Sequence, residues 1–274
     1  MPVVDLETTF PLKHFVTEVS PNDAMFDTSE HYVRVGLSAL KVIEYAINHG
    51  FTRPNGPQTI LDLPCGHGRV ARVLRSRFPD ADLTVCDIDH DGVDFCANKF
   101  GATGVYGTTN FDTIGLGKLF DLIWVGSLIT HFSADQTVRF IRCMTRHLLQ
   151  DGLLIITSHG KTVLRNAVVS AVHYGLAYPR GQNGRISILN IINNILTRYH
   201  TVSNINTQYH TIGYGYENDP HIEEYGVSII SRQWFEGLCA GEAYGIIEYL
   251  EQAWDNRQDV LFMKKKEEYA TAIS

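Results

Sequence analysis

An apolar strand that runs directly into a glycine-rich turn constrains this sequence more than any other feature. Residues 59–74 read Thr-Ile-Leu-Asp-Leu-Pro-Cys-Gly-His-Gly-Arg-Val-Ala-Arg-Val-Leu, so a helical pattern starts as soon as the turn ends. A second apolar segment ends in Asp87, twenty-one residues after Gly66. Glycines in such a turn let the backbone approach a ligand closely, and an acid after the next strand can bind two ribose hydroxyls. The pattern is typical of a nucleotide-type cofactor site.

Strand and helix patterns alternate along the chain around this motif. The predicted strands lie at 60–63, 83–86, 104–106, 120–125 and 153–157, and the predicted helices at 29–48, 68–78, 91–100 and 134–149. Such alternation predicts an α/β fold with a doubly wound, mostly parallel sheet. The chain closes on two successive strands, 244–250 and 258–263, which predict an antiparallel C-terminal hairpin.

The alternation is interrupted after residue 160. Two helix-like stretches, 162–174 and 187–199, lie there among polar and aromatic segments, before a strand at 227–230 and a helix at 232–240 restore the pattern. Long additions in compact domains tend to be lids or binding elements, so we expect a helical cap over an acceptor pocket. The predicted division has an N-terminal arm and lid helix at 1–58, a core at 59–160 and 223–274, and the cap insertion at 161–222.

Composition and charge narrow the class of protein. The chain has 274 residues with 44% hydrophobic and 19% charged residues, which supports a packed core. The net charge of -7 disfavours nucleic acid as a partner, because nucleic-acid binders usually carry a basic face. We expect a cytoplasmic protein with no membrane span, since no apolar run is long enough and the N-terminus lacks signal-peptide features.

Cysteine and histidine spacing gives no indication of a metal site. The five cysteines form no CxxC pair, and reduced buried thiols are the simplest interpretation. His200, His210 and His221 are ten and eleven residues apart, which matches no compact ligand motif. We therefore expect no metal.

Such a turn can hold either a dinucleotide or a sulfonium cofactor, and three features distinguish between the two. Residues 66–71 fit the GxGxxA form of the dinucleotide fingerprint. However, the carboxylate of Asp62 would repel a pyrophosphate, whereas it would attract a sulfonium ligand that carries an α-amino group. The C-terminal hairpin replaces the next parallel strand and helix of a dinucleotide fold, and no second glycine fingerprint or Tyr-x-x-x-Lys motif occurs.

The segment Ile60-Leu-Asp-Leu-Pro-Cys-Gly-His-Gly68, with Asp87 and the closing hairpin, resembles the class I S-adenosylmethionine-dependent methyltransferases. The resemblance covers roughly 30–160 and 224–266. It implies a Rossmann-like, seven-stranded sheet, S-adenosyl-L-methionine as cofactor and S-adenosyl-L-homocysteine as product. Segments 126–131, 157–160 and 254–259 are similar to bacterial methyltransferases that modify glycans or small metabolites. We therefore expect an enzyme that methylates a small molecule or a sugar, at a hydroxyl, by in-line displacement.

The resemblance also implies roles for single residues. Those expected to contact the cofactor are Asp62, Pro64, Cys65, Gly66, Gly68, Asp87, Ile88, Asn110, Phe111, Ser127 and Leu128. In this scheme Asp87 binds the ribose and Ile88 packs on the adenine, while Ser127 and Leu128 face the transferring methyl. The family often has an acid where this chain has Asn110, so the adenine contact departs from the pattern. For Pro64 and Cys65, shaping the turn alone is an open alternative.

Two histidines follow parallel strands and are the candidates for a general base. His131 comes after the strand at 120–125 and His159 after the strand at 153–157, at the carboxyl ends where open α/β sheets bind ligands. An imidazole with a pKa near its usual value of about 6.5 suits proton transfer from an acceptor hydroxyl. The alternative for each histidine is support of its loop.

Tyrosines supply the predicted acceptor contacts, because their flat rings and hydroxyls suit sugars and aromatic molecules. The candidates are Tyr32, Tyr174, Tyr178, Tyr214 and Tyr216. Packing within the cap or across a dimer contact is the alternative, and either a monomer or a homodimer is compatible with the sequence. Two other functions stay open at this point: an NAD-dependent oxidoreductase or epimerase, and a non-catalytic binding protein with a methyltransferase fold.

Overall fold

A twisted seven-stranded sheet with helices on both faces forms the centre of the protein. The computed structural model describes residues 15–50, 56–170, 201–222 and 224–266. The sheet consists of β1 (Thr59–Asp62), β2 (Asp82–Asp87), β3 (Thr103–Tyr106), β4 (Phe120–Val125), β5 (Leu148–Ser158), β8 (Tyr244–Trp254) and β9 (Gln258–Lys265), and its order is β3-β2-β1-β4-β5-β9-β8. The first five strands are parallel, and β9 runs antiparallel to both β5 and β8. This confirms the predicted doubly wound sheet and its C-terminal hairpin.

The helices cover the two faces of the sheet. They are α1 (Ser29–Gly50), α2 (Ala71–Arg77), α3 (His90–Phe100), α4 (Ala134–Arg146), α5 (Lys161–Ser170), a helix α6 at 201–212, and α7 (Arg232–Cys239). Side chains of α1, α2 and α3 pack in one core cluster, and those of α4 and α7 in another. Successive side chains of β4 point to opposite faces of the sheet. Leu122 and Trp124 therefore enter the first cluster, and Ile123 and Val125 enter the second.

Local sequence signals explain where several helices begin and end. The Asp89 side chain caps α3 by accepting hydrogen bonds from the N–H groups of Asp91 and Gly92, and Gly101 ends the helix in the left-handed conformation. Ser133 and Gln136 form a capping box at the start of α4. These caps fix the loops that follow β2 and β4, both of which border the candidate site.

The predicted helix at 134–149 is too long at its C-terminal end. Helix α4 ends at Arg146, and Leu148 already pairs with Phe120 of β4. Strand β5 is therefore longer than the predicted 153–157, because its first residues complete the ladder with β4. The leucines at 148 and 149 suit a helix as well as a strand, and the pairing of Leu148 with Phe120 places this segment in the strand.

The segment at 227–230 does not rejoin the main sheet. It forms β7 (Gly226–Ile230), which pairs antiparallel with β6 (Tyr214–Asn218) in a separate two-stranded sheet. No strand was predicted at β6 and no helix at α6. The predicted helix at 162–174 corresponds to α5, and the predicted helix at 187–199 lies outside the described residues. The predicted boundary at residue 222 falls between two paired strands, and the division into core and cap stays a prediction.

Two further features bear on the sequence predictions. All five cysteines are buried free thiols, as expected. Among the described residues, no helix is long and apolar enough to cross a membrane.

Candidate active site

The glycine turn after β1 forms one wall of a cavity at the carboxyl ends of the parallel strands. Gly66 and Gly68 have φ values of 47° and 85°, in the region that favours glycine. The Gly66 N–H donates to Oδ2 of Asp87 at 2.7 Å, which ties the turn to the end of β2. At Gly68 a side chain would collide with the ring of Phe100, because an added Cβ would lie 2.2 Å from its Cε2 atom.

Asp62 is a buried carboxylate without a hydrogen-bond partner. Its side chain is 1% exposed, and neither carboxyl oxygen forms a hydrogen bond within the described protein. Burial raises the pKa of Asp62 well above its usual value, the nearby charge of Asp87 adds to this, and the Ala71 N–H and Arg69 only partly oppose it. A buried acid in this state is stabilised by a cationic or hydrogen-bond-donating ligand.

Asp87 holds the two loops of the site while still facing the cavity. Besides the bond from Gly66, its Oδ1 atom accepts a hydrogen bond from the Asp89 N–H at 3.0 Å. The residue lines the cavity formed by the glycine turn. A carboxylate has about four acceptor positions, so two backbone bonds leave capacity for ribose hydroxyls.

The first cavity, of about 250 Å³, brings together most of the predicted cofactor-binding residues. From that set it is lined by Pro64, Cys65, Gly66, Asp87, Ser127 and Leu128, and it also includes Tyr32 and His131. The open glycine turn and Asp87 line the cavity and fit the ribose of S-adenosylmethionine, and the unpartnered acid Asp62, buried just before the turn, fits its cationic methionine end. The residues present therefore suit this cofactor.

Five residues of the predicted set do not line this cavity, and one of them is Asp62, which is buried at the end of β1. Gly68 packs under the turn against Phe100, and the Ile88 side chain is exposed beyond the end of β2. Asn110 is exposed in a turn, where its side chain accepts a hydrogen bond from the Asp112 N–H. Phe111 is buried in a cluster of aromatic rings with Phe132 and Phe140, which makes it a core residue.

A second cavity, of about 260 Å³, adjoins the first and contains His159. Arg69, Ser127, His131 and Trp254 line both cavities. A ligand in the second cavity would therefore meet a ligand in the first along this shared wall. The arrangement suits group transfer between two bound molecules.

His159 lies at the end of β5 and is buried in the wall of the second cavity. Its Nδ1 atom has no hydrogen-bond partner among the described residues, and the side chain is 6% exposed. Burial lowers the pKa of His159 to about 4, and the neighbouring His131 acts in the same direction against an opposing contribution from the Ser228 backbone. At neutral pH the imidazole is uncharged, and its buried Nδ1 atom has no hydrogen bond to another described residue.

His131 has both ring nitrogens in hydrogen bonds. Its Nδ1 lies 3.0 Å from the Gly226 carbonyl oxygen, and its Nε2 lies 3.2 Å from the Tyr225 hydroxyl. The Tyr225 ring stacks on the imidazole with centroids 4.3 Å apart. A carbonyl can only accept, so Nδ1 donates and Nε2 is left to accept from Tyr225. Burial lowers the pKa of His131 as well.

The predicted acceptor tyrosines divide into three groups. Tyr32 lines the first cavity, and its hydroxyl donates to Asp23 at 2.6 Å. Tyr214 is buried and donates to the Phe132 carbonyl oxygen at 2.8 Å, and the Tyr216 hydroxyl bonds the Asn218 side chain. Neither residue lines the two cavities, and their packing is the alternative that the sequence left open. Tyr174 and Tyr178 lie outside the described residues.

Sequence reasoning missed several residues of the site, among them Arg69, Arg257 and Gln258. Arg69 directly follows the second glycine of the turn and lines both cavities. Three more arginines follow it in α2, so no local signal distinguishes Arg69 from them. Gln258 lines the second cavity from β9, and no local pattern marks it. Among the described residues, no group of three or more His, Cys, Asp or Glu side chains is arranged to hold a metal ion.

Comparison with known proteins gives a family match at the site and several similar folds. Residues 60–152 match the family described as a methyltransferase domain. No curated protein matches the sequence. The matched segment contains the glycine turn, Asp87 and Ser127, which are parts of the first cavity.

Three solved structures illustrate the similarity of fold. The PH0226 protein of Pyrococcus horikoshii OT3 is 13% identical with a TM-score of 0.55, and the match covers 90% of this chain and 97% of that one. An S-adenosylmethionine-dependent methyltransferase of Clostridium acetobutylicum ATCC 824 is 14% identical with a TM-score of 0.52, covering 88% and 93%.

The third is the mitomycin 7-O-methyltransferase MmcR, which is 12% identical with a TM-score of 0.51. That match covers 87% of this chain, which spans 55% of the length of MmcR. At such identities the likenesses show the fold. Residues 60–152 thus carry a methyltransferase domain, whose cofactor is S-adenosylmethionine, and the fold is similar to that of S-adenosylmethionine-dependent methyltransferases.

Proposed function

We propose that this enzyme methylates a hydroxyl group of a small-molecule or sugar acceptor that binds in the second cavity. The observation that carries the proposal is the free Nδ1 atom of His159, buried in the wall of that cavity. An alcohol that keeps its proton is a poor nucleophile, so a neutral base near the acceptor oxygen aids the reaction. A nitrogen acceptor that is already neutral would not need such a base.

His159 is a better base candidate than His131. The two nitrogens of His131 are held by the Gly226 carbonyl and the Tyr225 hydroxyl, so a proton could be accepted only after one bond breaks. The Nδ1 atom of His159 has no hydrogen bond to another described residue that would have to break. We assign the proton-accepting role to His159 and a supporting role in the loop after β4 to His131.

In this proposal the methyl group passes from the cofactor in the first cavity to the acceptor in the second, across the wall that the two cavities share. When bound, S-adenosylmethionine would supply a methyl group on a positively charged sulfur. An acceptor oxygen in line with the carbon–sulfur bond would bond to the methyl carbon as the sulfur leaves with the electron pair, and His159 would take the hydroxyl proton. Asp62 would hold the cationic methionine end, Asp87 the ribose hydroxyls, and Pro64, Cys65 and Gly66 the surface between them. Ser127, which lines both cavities, would stand beside the reacting atoms.

Holding the two reactants in line accounts for much of the rate of a displacement, and a base typically adds about 10²–10⁴-fold. In this proposal the chain therefore acts mainly by orientation. Three predictions from the sequence are part of this proposal. They are a cytoplasmic location, a monomeric or homodimeric state, and a cap formed by 161–222.

An acceptor screen tests this function. Purified protein is incubated with methyl-labelled S-adenosylmethionine and a panel of sugars, phenols and hydroxy acids, with amines of similar shape as the contrast. Label recovered as a methyl ether, and lost in His159→Asn, would support the proposal. Label recovered only on nitrogen, or full turnover by His159→Asn, would refute it.

A further inference from the structure

The second cavity carries more positive than negative charge in its wall. Arg69 and Arg257 both line it, and Asp255 is the one carboxylate among the described residues that does so. That carboxylate already accepts a hydrogen bond from Arg34. Its other oxygen lies 4.0 Å from the Nε atom of Arg257. Two guanidinium groups thus share one carboxylate, which leaves a surplus of positive charge.

Arg69 adds a cation that has no direct counter-ion. No ion pair or hydrogen bond joins its side chain to another described residue, and its guanidinium lies 5.9 Å from the centre of the Tyr32 ring. Burial lowers the pKa of Arg69, while Tyr32, Asp23 and Asp255 act against this from a longer range. An arginine remains charged in proteins, so a partly buried guanidinium without a partner favours an anion beside it.

The same cavity contains a second group that lacks a partner. The Nδ1 atom of His159 is buried, faces no described donor or acceptor, and belongs to the same wall as Arg69 and Arg257. Because this imidazole is neutral at neutral pH, it offers a hydrogen bond and adds no charge. The wall therefore provides a place for a hydroxyl and, separately, a place for an anion.

We propose that the acceptor carries a carboxylate or a phosphate in addition to its hydroxyl, and that Arg69 and Arg257 bind this anionic group. The inference rests on the proposed function, whose acceptor class it narrows to hydroxy acids and phosphate esters. Planar guanidinium groups suit both anions, because two N–H donors can meet two oxygens at once. A neutral sugar or phenol would leave Arg69 and Arg257 without an anion in this cavity.

Binding measurements on the product complex test the inference without turnover. The protein is saturated with S-adenosylhomocysteine, which supplies the carboxylate of the cofactor itself, and is then titrated calorimetrically with benzoate, phenyl phosphate and neutral benzamide. We expect one or both anions to bind at least about tenfold more tightly than benzamide. The stronger of the two anions indicates whether a carboxylate or a phosphate is the natural group.

Two substitutions assign the binding to the arginines. Arg69→Met and Arg257→Met should each weaken anion binding by about tenfold and leave benzamide binding unchanged. Arg142→Met is the matched control, since Arg142 pairs with Glu242 outside both cavities. Equal affinity for anions and benzamide, absence of binding by all three, or full anion affinity in either arginine variant would overturn the inference. Failure of the hydroxyl screen alone would refute the proposed function while arginine-dependent anion binding remained.

Discussion

The amide of Gln258 donates a hydrogen bond from its Nε2 atom to the hydroxyl oxygen of Ser127 at 2.8 Å. The side-chain oxygen of Gln258 accepts a hydrogen bond from the Thr157 hydroxyl at 2.6 Å. The same hydroxyl oxygen accepts a hydrogen bond from the Ser127 N–H at 2.7 Å. Ser127 has a φ of 61°, which non-glycine residues seldom adopt. The C-terminal hairpin thus holds a strained residue of the loop after β4, where the two cavities meet.

Removing this support should reduce turnover more than it reduces cofactor binding. In Gln258→Leu the Ser127 hydroxyl loses its donor, so its orientation beside the reacting atoms relaxes, and kcat should fall by about tenfold. Affinity for S-adenosylhomocysteine should stay within about twofold, because Asp62 and Asp87 are untouched. Steady-state kinetics and calorimetry measure the two effects. The control is Gln150→Leu, whose exposed amide bonds the Lys266 carbonyl oxygen, and equal kcat in both variants would contradict the role of Gln258.

Asp62→Asn should stabilise the protein without cofactor and weaken cofactor binding. The carboxylate is buried and unpartnered, so replacing it with a neutral amide removes part of the cost of burying charge. At neutral pH the free energy of unfolding should rise by about 1–3 kcal/mol, and S-adenosylmethionine affinity should fall by at least about tenfold. Urea unfolding and calorimetry measure these. A variant that is less stable and binds equally well would contradict the account of Asp62.

The stabilising effect of Asp62→Asn should depend on pH. The pKa of Asp62 is raised in the folded state, so above the unfolded value of about 3.9 the unfolded chain has released a proton that the native state retains. The native carboxyl therefore contributes stability at low pH that is lost as the pH rises. The advantage of the variant should vanish below about pH 4 and grow as the pH rises above it. A difference that is constant over this range would argue against titration of Asp62.

Loss of His159 should remove catalysis and leave cofactor binding intact. His159→Asn should lower kcat by about 10²-fold or more, while S-adenosylhomocysteine affinity changes by less than about twofold. Because the pKa of His159 is about 4, its protonation should not reduce kcat/KM of the wild type between about pH 8 and about pH 5. The control is His49→Gln, which replaces an exposed histidine of α1. A kcat/KM that falls with an apparent pKa near 6.5 would assign the proton transfer to another group.

The two glycines of the turn should differ in their tolerance of a side chain. Gly68→Ala places a methyl group 2.2 Å from a ring carbon of Phe100 and should cost about 3 kcal/mol or more. Gly66→Ala meets no atom within 4 Å and bears only the strain of its positive φ, about 1 kcal/mol. Thermal unfolding of both variants measures the difference. Gly101→Ala, at an open left-handed cap of α3, should resemble Gly66→Ala, and equal losses at Gly66 and Gly68 would contradict the packing described here.

The main sheet could be predicted because its signals are local. The strand, glycine turn and helix at residues 59–74 are contiguous, and β4 is apolar along its whole length because both its faces are covered. Asp62 stood out for the same reason, since an acid within an apolar strand requires a partner. These features need no knowledge of distant contacts.

The remaining parts depend on contacts between distant segments. Strand β6 forms by pairing with β7, and Tyr214 packs inward although its hydroxyl suggested a substrate contact. Phe111 follows β3 as an adenine-contacting residue would, yet it is held by Phe132 and Phe140. Gln258 reaches Ser127 across 131 residues of chain. No local periodicity records such contacts, so sequence reasoning could not find them.

Calorimetric titration of the purified protein with S-adenosylmethionine, S-adenosylhomocysteine and NADH, repeated on Asp87→Ala, tests the central claim most directly. We expect roughly micromolar binding of the first two ligands and none of NADH. In Asp87→Ala both affinities should fall by at least about tenfold, because the ribose hydroxyls lose their acceptor. Binding of NADH alone, or unchanged affinity in the variant, would contradict the site described here.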